Sequence, residues 1–157
     1  MSRTDYFHDP AAPAANSVKV AVSALVQDDR GRVLMIRRSD NDLYAIPGGG
    51  LEAGETVTQA VEREVFEETG ITVQVRELVG VFSNPHHVIA FDDGEVRQEF
   101  SICFRAVPIS GTVRTSSESK EVDWVAPQRL PELNIHPSVR LRIERALAPT
   151  EQQPYFT

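Results

Sequence analysis

Apolar positions in this chain follow two rhythms, one of strands and one of helices. Val18 to Val26 (VKVAVSALV) is apolar at all but two positions, the pattern of a largely buried strand. Asp28 to Gly31 (DDRG) is a turn signal, and the apolar run Val33 to Ile36 follows it, so the pair predicts a hairpin. Residues 39–50 (SDNDLYAIPGGG) read as a loop in which Pro47 and three glycines mark a tight, irregular turn. From Thr56 to Thr69 the period changes. Val57, Val61 and Val65 recur every four residues and form the buried stripe of a helix. Thr56 with Gln59 makes a capping box, and Gly70 sits where a left-handed C-terminal cap is expected. Phe66 lies nearly opposite that helix's carboxylates and is expected to pack against a neighbouring loop. Residues 73–82 and 100–109 are strand-like, and residues 122–125 (VDWV) make a short apolar strand. A last helix is predicted over Ser138 to Leu147 after His136-Pro137, with Val139, Ile143 and Leu147 four apart and Arg140, Arg142 and Arg145 around them.

This order of strands, helix, strands and helix predicts an α/β fold, a mixed sheet covered by helices on both faces. Residues 1–16 show no periodicity and read as a flexible arm, residues 17–148 as one domain, and residues 149–157 as an irregular tail. No internal repeat or second domain is visible, and 157 residues suffice for one core.

Composition narrows the function by exclusion. At 41% apolar and 25% charged the chain is an ordinary globular sequence. No run of 18 apolar residues suits a membrane span, and the N-terminus lacks the apolar core of a signal peptide. The net charge of −7, without a Lys/Arg block, argues against a nucleic-acid polymer as partner. Cys103 is the single cysteine, set in an apolar run, so no intrachain disulfide is expected and the cytoplasm is the simplest location. An acidic protein still binds a small anion where metal ions and a few arginines reverse the sign in one cleft.

The chemistry concentrates in Gly49 to Ile71 (GGLEAGETVTQAVEREVFEETGI). Fixed positions of the form G-x5-E-x7-R-E-U-x-E-E-x-G-U, with U a bulky aliphatic, are filled by Gly49, Glu55, Arg63, Glu64, Val65, Glu67, Glu68, Gly70 and Ile71. With average residue usage the odds of a chance match in a chain this long are about one in ten million. On a helix Glu64, Glu67 and Glu68 span roughly 100° of one side. Two carboxylates 4 Å apart repel by on the order of 4 kcal/mol at an effective dielectric of 20, a penalty that a divalent cation removes. Hard oxygen donors of this kind suit Mg²⁺ or Mn²⁺. A guanidinium beside them, that of Arg63, can lock their orientation through paired hydrogen bonds.

The stretch resembles the signature of the Nudix hydrolase family. That resemblance implies an α/β/α sandwich and a Mg²⁺-dependent pyrophosphohydrolase, with Mn²⁺ as a substitute. It assigns the metal to the Gly48 carbonyl, Glu64, Glu67 and Glu68, a structural role to Arg63, and a place near the metals to Glu55. The residue that holds or deprotonates the attacking water is Glu67 or Glu68, or else a glutamate about six residues before a strand tryptophan. Here that glutamate is Glu118, ahead of Trp124, with Glu121 as fallback.

Substrate choice lies outside the motif. Pro85 follows Ile71 by 14 residues, close to the spacing of about 15 in ADP-ribose-cleaving relatives. The upstream pattern of coenzyme A hydrolases and the SQPWPFP-like segment of NADH-cleaving relatives are absent, and Ile89 stands where the diadenosine-polyphosphate branch has tyrosine. Candidate phosphate or base contacts are Arg37, Arg38, Arg97 and Arg105. Of the adjacent pair Arg37 and Arg38, one strand face holds only one. Tyr44 and Phe82 are candidates to stack a base, with core packing the expectation for Phe82; His86 and His87 are candidates to reach a phosphate or base edge, with exposed turn residues the expectation and no metal site between them. The expected substrate is a nucleoside diphosphate linked to another moiety, ADP-ribose or a sugar nucleotide first. The alternatives are a nucleoside triphosphate, oxidised ones included, cleaved with release of pyrophosphate, and a non-catalytic nucleotide sensor. The family also suggests a homodimer.

Overall fold

The computed structural model describes residues 2–157. Ten strands and two α-helices follow one another as β1 (Arg3–Phe7), β2 (Ser17–Val18), β3 (Ala21–Val26), β4 (Val33–Arg38), β5 (Tyr44–Ala45), β6 (Gly48–Gly50), α1 (Val57–Thr69), β7 (Ile71–Phe91), β8 (Val96–Gly111), β9 (Ser119–Val125), α2 (Pro137–Leu147) and β10 (Tyr155–Phe156). Seven strands form one mixed sheet in the order β1-β7-β8-β3-β6, with β10 also on β7 and β2 also on β8. A second sheet has the order β5-β4-β9.

Alternation along the central strands explains why the helices cover opposite faces. In β3, Leu25 joins a core that contains Ile143 and Ala146 of α2, whereas Val22, Ala24 and Val26 join a core with Ala60, Val61 and Val65 of α1. In β4, Val33 and Met35 go to the first core and Leu34 to the second. Strands buried on both sides require near-continuous apolar runs, and these have them. The result is the α/β/α sandwich expected from the sequence.

Several local expectations change. The turn at 28–31 forms, with Gly31 at φ 76° and its N–H donated to the Asp28 carbonyl. Beyond it β3 and β4 part into different sheets, joined among the described residues by one isolated bridge, Gln27 to Val33. The reason is that β8 and β6 already occupy both sides of β3. The arm read over 1–16 contains β1, antiparallel to β7 with Arg3 opposite Phe91 and Phe7 opposite His87. The tail supplies β10, and Tyr155 packs on Phe82 while Arg145 covers its ring at 4.1 Å. Gly80 makes room for it, since a side chain there would overlap the Tyr155 backbone. Residues 83–87 (SNPHH), whose histidines read as turn residues, lie inside β7, where a register shift between Asn84 and Val88 absorbs the extra residues. Phe66 is not packed in a core; it is exposed, with the Arg114 guanidinium over its ring at 5.1 Å.

Candidate active site

Helix α1 carries the carboxylates, and both of its ends are fixed. Thr56 accepts from the Gln59 N–H while Gln59 accepts from the Thr56 N–H, and Gly70 closes the other end at φ 78°. Arg114 donates to the Glu67 carbonyl and to the Phe66 carbonyl, which also accepts the Gly70 N–H. One face of the helix meets the glycine strand β6. The Gly48 N–H donates to Glu68 Oε1 at 2.7 Å, and a side chain on Gly49 would overlap the Glu64 carboxylate. Here glycine is required by close approach, not by backbone conformation.

Arg63 organises the acids beside it. It donates to both oxygens of Glu55 at 2.7 and 2.9 Å, to Glu64 at 2.8 Å, to Glu67 at 3.3 Å and to the Gly50 carbonyl at 3.0 Å. The Arg63 hydrogen bonds pull Glu55 down to about 2, so it stays ionised, and Arg63 itself is held well above its ordinary value. Glu68 behaves in the opposite way. Only 4% exposed, it is pushed by burial up to about 8, with the charges of Glu64 and Glu118 adding to the effect and the Gly48 N–H and Arg38 opposing it. Burial also raises Glu64.

The third acid comes from the loop before β9. One oxygen from each of Glu64, Glu68 and Glu118 lies within 4.8 Å of the others. Ser119 fixes that loop by donating to the Glu68 carbonyl, and the Glu118 carbonyl accepts from the Ser39 N–H at 3.0 Å. Glu118 is exposed and makes no ion pair among the described residues, whereas Glu67 is bound to Arg63 on the rim. Two buried carboxylates and one exposed one, facing a glycine strand, are a donor set that fits a hard divalent cation. Burial first, and then repulsion from Glu64 and Glu118, opposes the ionisation of Glu68.

A family model described as NUDIX domain matches residues 18–145. The chain belongs to the NUDIX domain family. It is a Nudix pyrophosphohydrolase. Over 124 residues it is 43% identical to a MutT-like protein of Streptomyces ambofaciens, a match that takes in 79% of this chain and 73% of that one. Over 117 residues it is 36% identical to a protein named ADP-ribose pyrophosphatase of Methanocaldococcus jannaschii, covering 73% of this chain and 65% of that protein, just under two thirds of its length. The crystal structure of a NUDIX hydrolase from Nitrosomonas europaea matches with a TM-score of 0.70 at 25% identity, covering 90% of this chain and 77% of the other.

In this Nudix hydrolase the residues named outside the motif divide into two groups. Arg38 acts on the carboxylates: its charge is felt at Glu68, and Asp40 holds its guanidinium at 2.6 and 2.9 Å. Arg37 turns the other way and binds Glu121 at 2.8 Å and Asp42 at 2.7 Å, while the Tyr44 hydroxyl donates to Glu121 at 2.9 Å. Glu121 is thus engaged with Arg37 and Tyr44 rather than with the acids of α1. Arg97 is paired with Glu95 and lies over the Phe91 ring at 4.6 Å near the end of the β7–β8 hairpin, away from any contact with the carboxylates. Arg105 donates to the Ala146 carbonyl near the end of α2, and Phe82 is core.

Pro85 and His86 line a recess of about 420 Å³ with His8, Asp9, Pro10 and residues 12–15, and His86 stacks on His8. His87, read as an exposed turn residue, is buried and bonded to Asp5 and Glu99. Ser119 and Asp5 were not singled out in the sequence. Their signals lie in partners far along the chain and not in local spacing.

Proposed function

We propose that this chain is a Mg²⁺-dependent Nudix pyrophosphohydrolase, with Mn²⁺ as a substitute, that cleaves a nucleoside diphosphate linked to another moiety, ADP-ribose or a sugar nucleotide first. The observation that carries the reading is the convergence of Glu64, Glu68 and Glu118 beside the Gly48–Gly50 strand. The cation would be held by Glu64, Glu68 and Glu118, with Glu67 and the Gly48 carbonyl as further ligands. When bound, it withdraws negative charge from the diphosphate and lowers the pKa of water.

The protein's own groups do the rest. Arg63 holds Glu55, Glu64 and Glu67 in fixed orientations. Glu118, exposed and without an ion pair among the described residues, would hold the attacking water and take its proton on the carboxylate oxygen not given to the cation, and Glu67 is the alternative. Arg38 supplies positive charge beside the leaving phosphate. The water oxygen bonds to one phosphorus as the bridging P–O bond breaks, and two monophosphates leave. With ADP-ribose these are AMP and ribose phosphate. The relative named ADP-ribose pyrophosphatase supports this substrate class, as does the position of Pro85. A cytoplasmic location, suited to the buried Cys103 thiol, and a homodimer belong to the same reading.

A substrate panel with purified protein and Mg²⁺ tests the proposal, with AMP and inorganic pyrophosphate measured separately. AMP from ADP-ribose without pyrophosphate is the expected outcome. Pyrophosphate released from nucleoside triphosphates, with ADP-ribose left intact, would replace the sugar-nucleotide reading by the triphosphate one.

A further inference from the structure

A second group of metal-ligating side chains lies away from the glutamates of α1. Strand β1 carries Asp5 to the shifted register of β7, which turns His87 inward, and the start of α2 adds His136. His87 Nε2 lies 2.8 Å from Asp5 Oδ1, and His136 Nε2 lies 3.7 Å from the same oxygen. The two imidazoles stack with centroids 4.7 Å apart and planes 17° apart. One ligand atom from each of the three residues lies within 4.8 Å of the others. A tetrahedral ion with bonds of about 2.0–2.1 Å sets its ligand atoms roughly 3.4 Å apart, so small side-chain rotations suffice to close the site.

The surroundings of His87 match what an imidazole ligand needs behind it. His87 Nδ1 faces Glu99 Oε2 at 3.3 Å, and Arg142 anchors Glu99 at 2.9 Å. Its Nε2 is thus toward Asp5 and its Nδ1 against a carboxylate that can accept a proton, the arrangement that fixes the tautomer of a metal-bound histidine. His136 also has its Nε2 toward Asp5, while its Nδ1 caps α2, accepting the Ser138 N–H at 3.1 Å and lying 2.8 Å from the Ser138 hydroxyl. Binding through Nε2 would exchange that cap bond for one from Nδ1–H to the hydroxyl. Phe7 packs edge-on against both rings at 5.5 and 5.2 Å and forms an apolar wall. Asp5 is exposed, which leaves one side open for a fourth ligand.

We propose that Asp5, His87 and His136 form a second cation site, for Zn²⁺ or a similar transition ion, separate from the carboxylates of the Nudix motif. Two imidazole nitrogens and one carboxylate oxygen suit Zn²⁺, Co²⁺ or Ni²⁺ and not Mg²⁺. The ion would take the place of a proton between His87 Nε2 and Asp5, while His87 Nδ1 keeps its proton toward Glu99. It would tie the N-terminal strand to the start of α2, two segments more than 120 residues apart.

Co²⁺ titration of the full-length protein in excess Mg²⁺ tests this, because four-coordinate Co²⁺ with imidazole ligands absorbs visible light strongly and six-coordinate Co²⁺ on oxygens only weakly. One equivalent of strongly absorbing Co²⁺, displaced by Zn²⁺ and not by Mg²⁺, is expected. Two variants locate it. His136→Asn removes the imidazole yet keeps a good helix cap, and Asp5→Asn keeps the side-chain size. Each is expected to weaken Co²⁺ binding by about tenfold or more with the circular dichroism spectrum unchanged. Absence of the strong band in the wild type, or its persistence in both variants, would overturn the proposal.

Discussion

Replacing Glu68 by glutamine separates the two things its carboxylate does. An amide oxygen still accepts the Gly48 N–H, but the buried charge facing Glu64 and Glu118 is gone. Turnover is therefore expected to fall by about a hundredfold or more. The metal-free melting temperature should stay level or rise, because a neutral group is less costly to bury. Near-normal turnover in Glu68→Gln would remove the metal role from this residue. At this scale the sequence was legible wherever helical spacing sets the neighbours, as it does for Glu64, Glu67 and Glu68. Glu118 was legible through its offset from Trp124. His87 was not: Asp5, 82 residues away, and Glu99, 12 away, decide its burial, and the local SNPHH stretch carries no trace of either.

Helix α1 acts as a unit because Arg63 binds residues before it, within it and in β6. Lysine in its place keeps the charge and loses the fork that holds both Glu55 oxygens. Arg63→Lys is expected to lower the apparent affinity for Mg²⁺ by about ten- to a hundredfold, read from activity against Mg²⁺ concentration, with helical circular dichroism intact. A wild-type Mg²⁺ profile would show that the fork is dispensable. The helix itself was readable to its caps, since cap chemistry is local. The hairpin expected from β3 and β4 was not formed, because a turn signal says where a chain reverses and not which strand it then joins. The partners of β3 are β8, some 80 residues on, and the glycine strand β6. Short strands such as β1 and β10 escape a periodicity test for the same reason: pairing with β7 defines them.

For the whole molecule, the ionic contacts around His87 link three distant segments and make stability depend on pH. Burial alone would lower His87, but the hydrogen bonds and charges of Asp5 and Glu99 outweigh it and raise the group to about 9 from 6.5. Of the other groups around it, burial lowers His136, and Arg142 pairs with Glu99 at 2.9 Å. A raised value in the folded state means the contribution is full below pH 6.5 and is lost as pH rises through 9. Its size is no more than about 3 kcal/mol. In chelator-treated protein the melting temperature should decline between pH 7 and pH 10, and His87→Gln should flatten that decline. An equal decline in both proteins would move the effect elsewhere.

The placement of the chain ends along β7 has a consequence for handling the protein. One side of this 21-residue strand is paired with β8 apart from its register shifts, and the other is covered by β1 at His87 to Phe91 and by β10 at Gly80 and Val81. Both covers come from segments that a sequence-minded designer would trim as loose tails. Their removal bares backbone donors and acceptors on a long strand, a template for pairing with other copies. Shortened chains that lack residues 1–9 or 150–157 should therefore scatter light increasingly with concentration while the full chain does not, the two ends serving as guards against self-association.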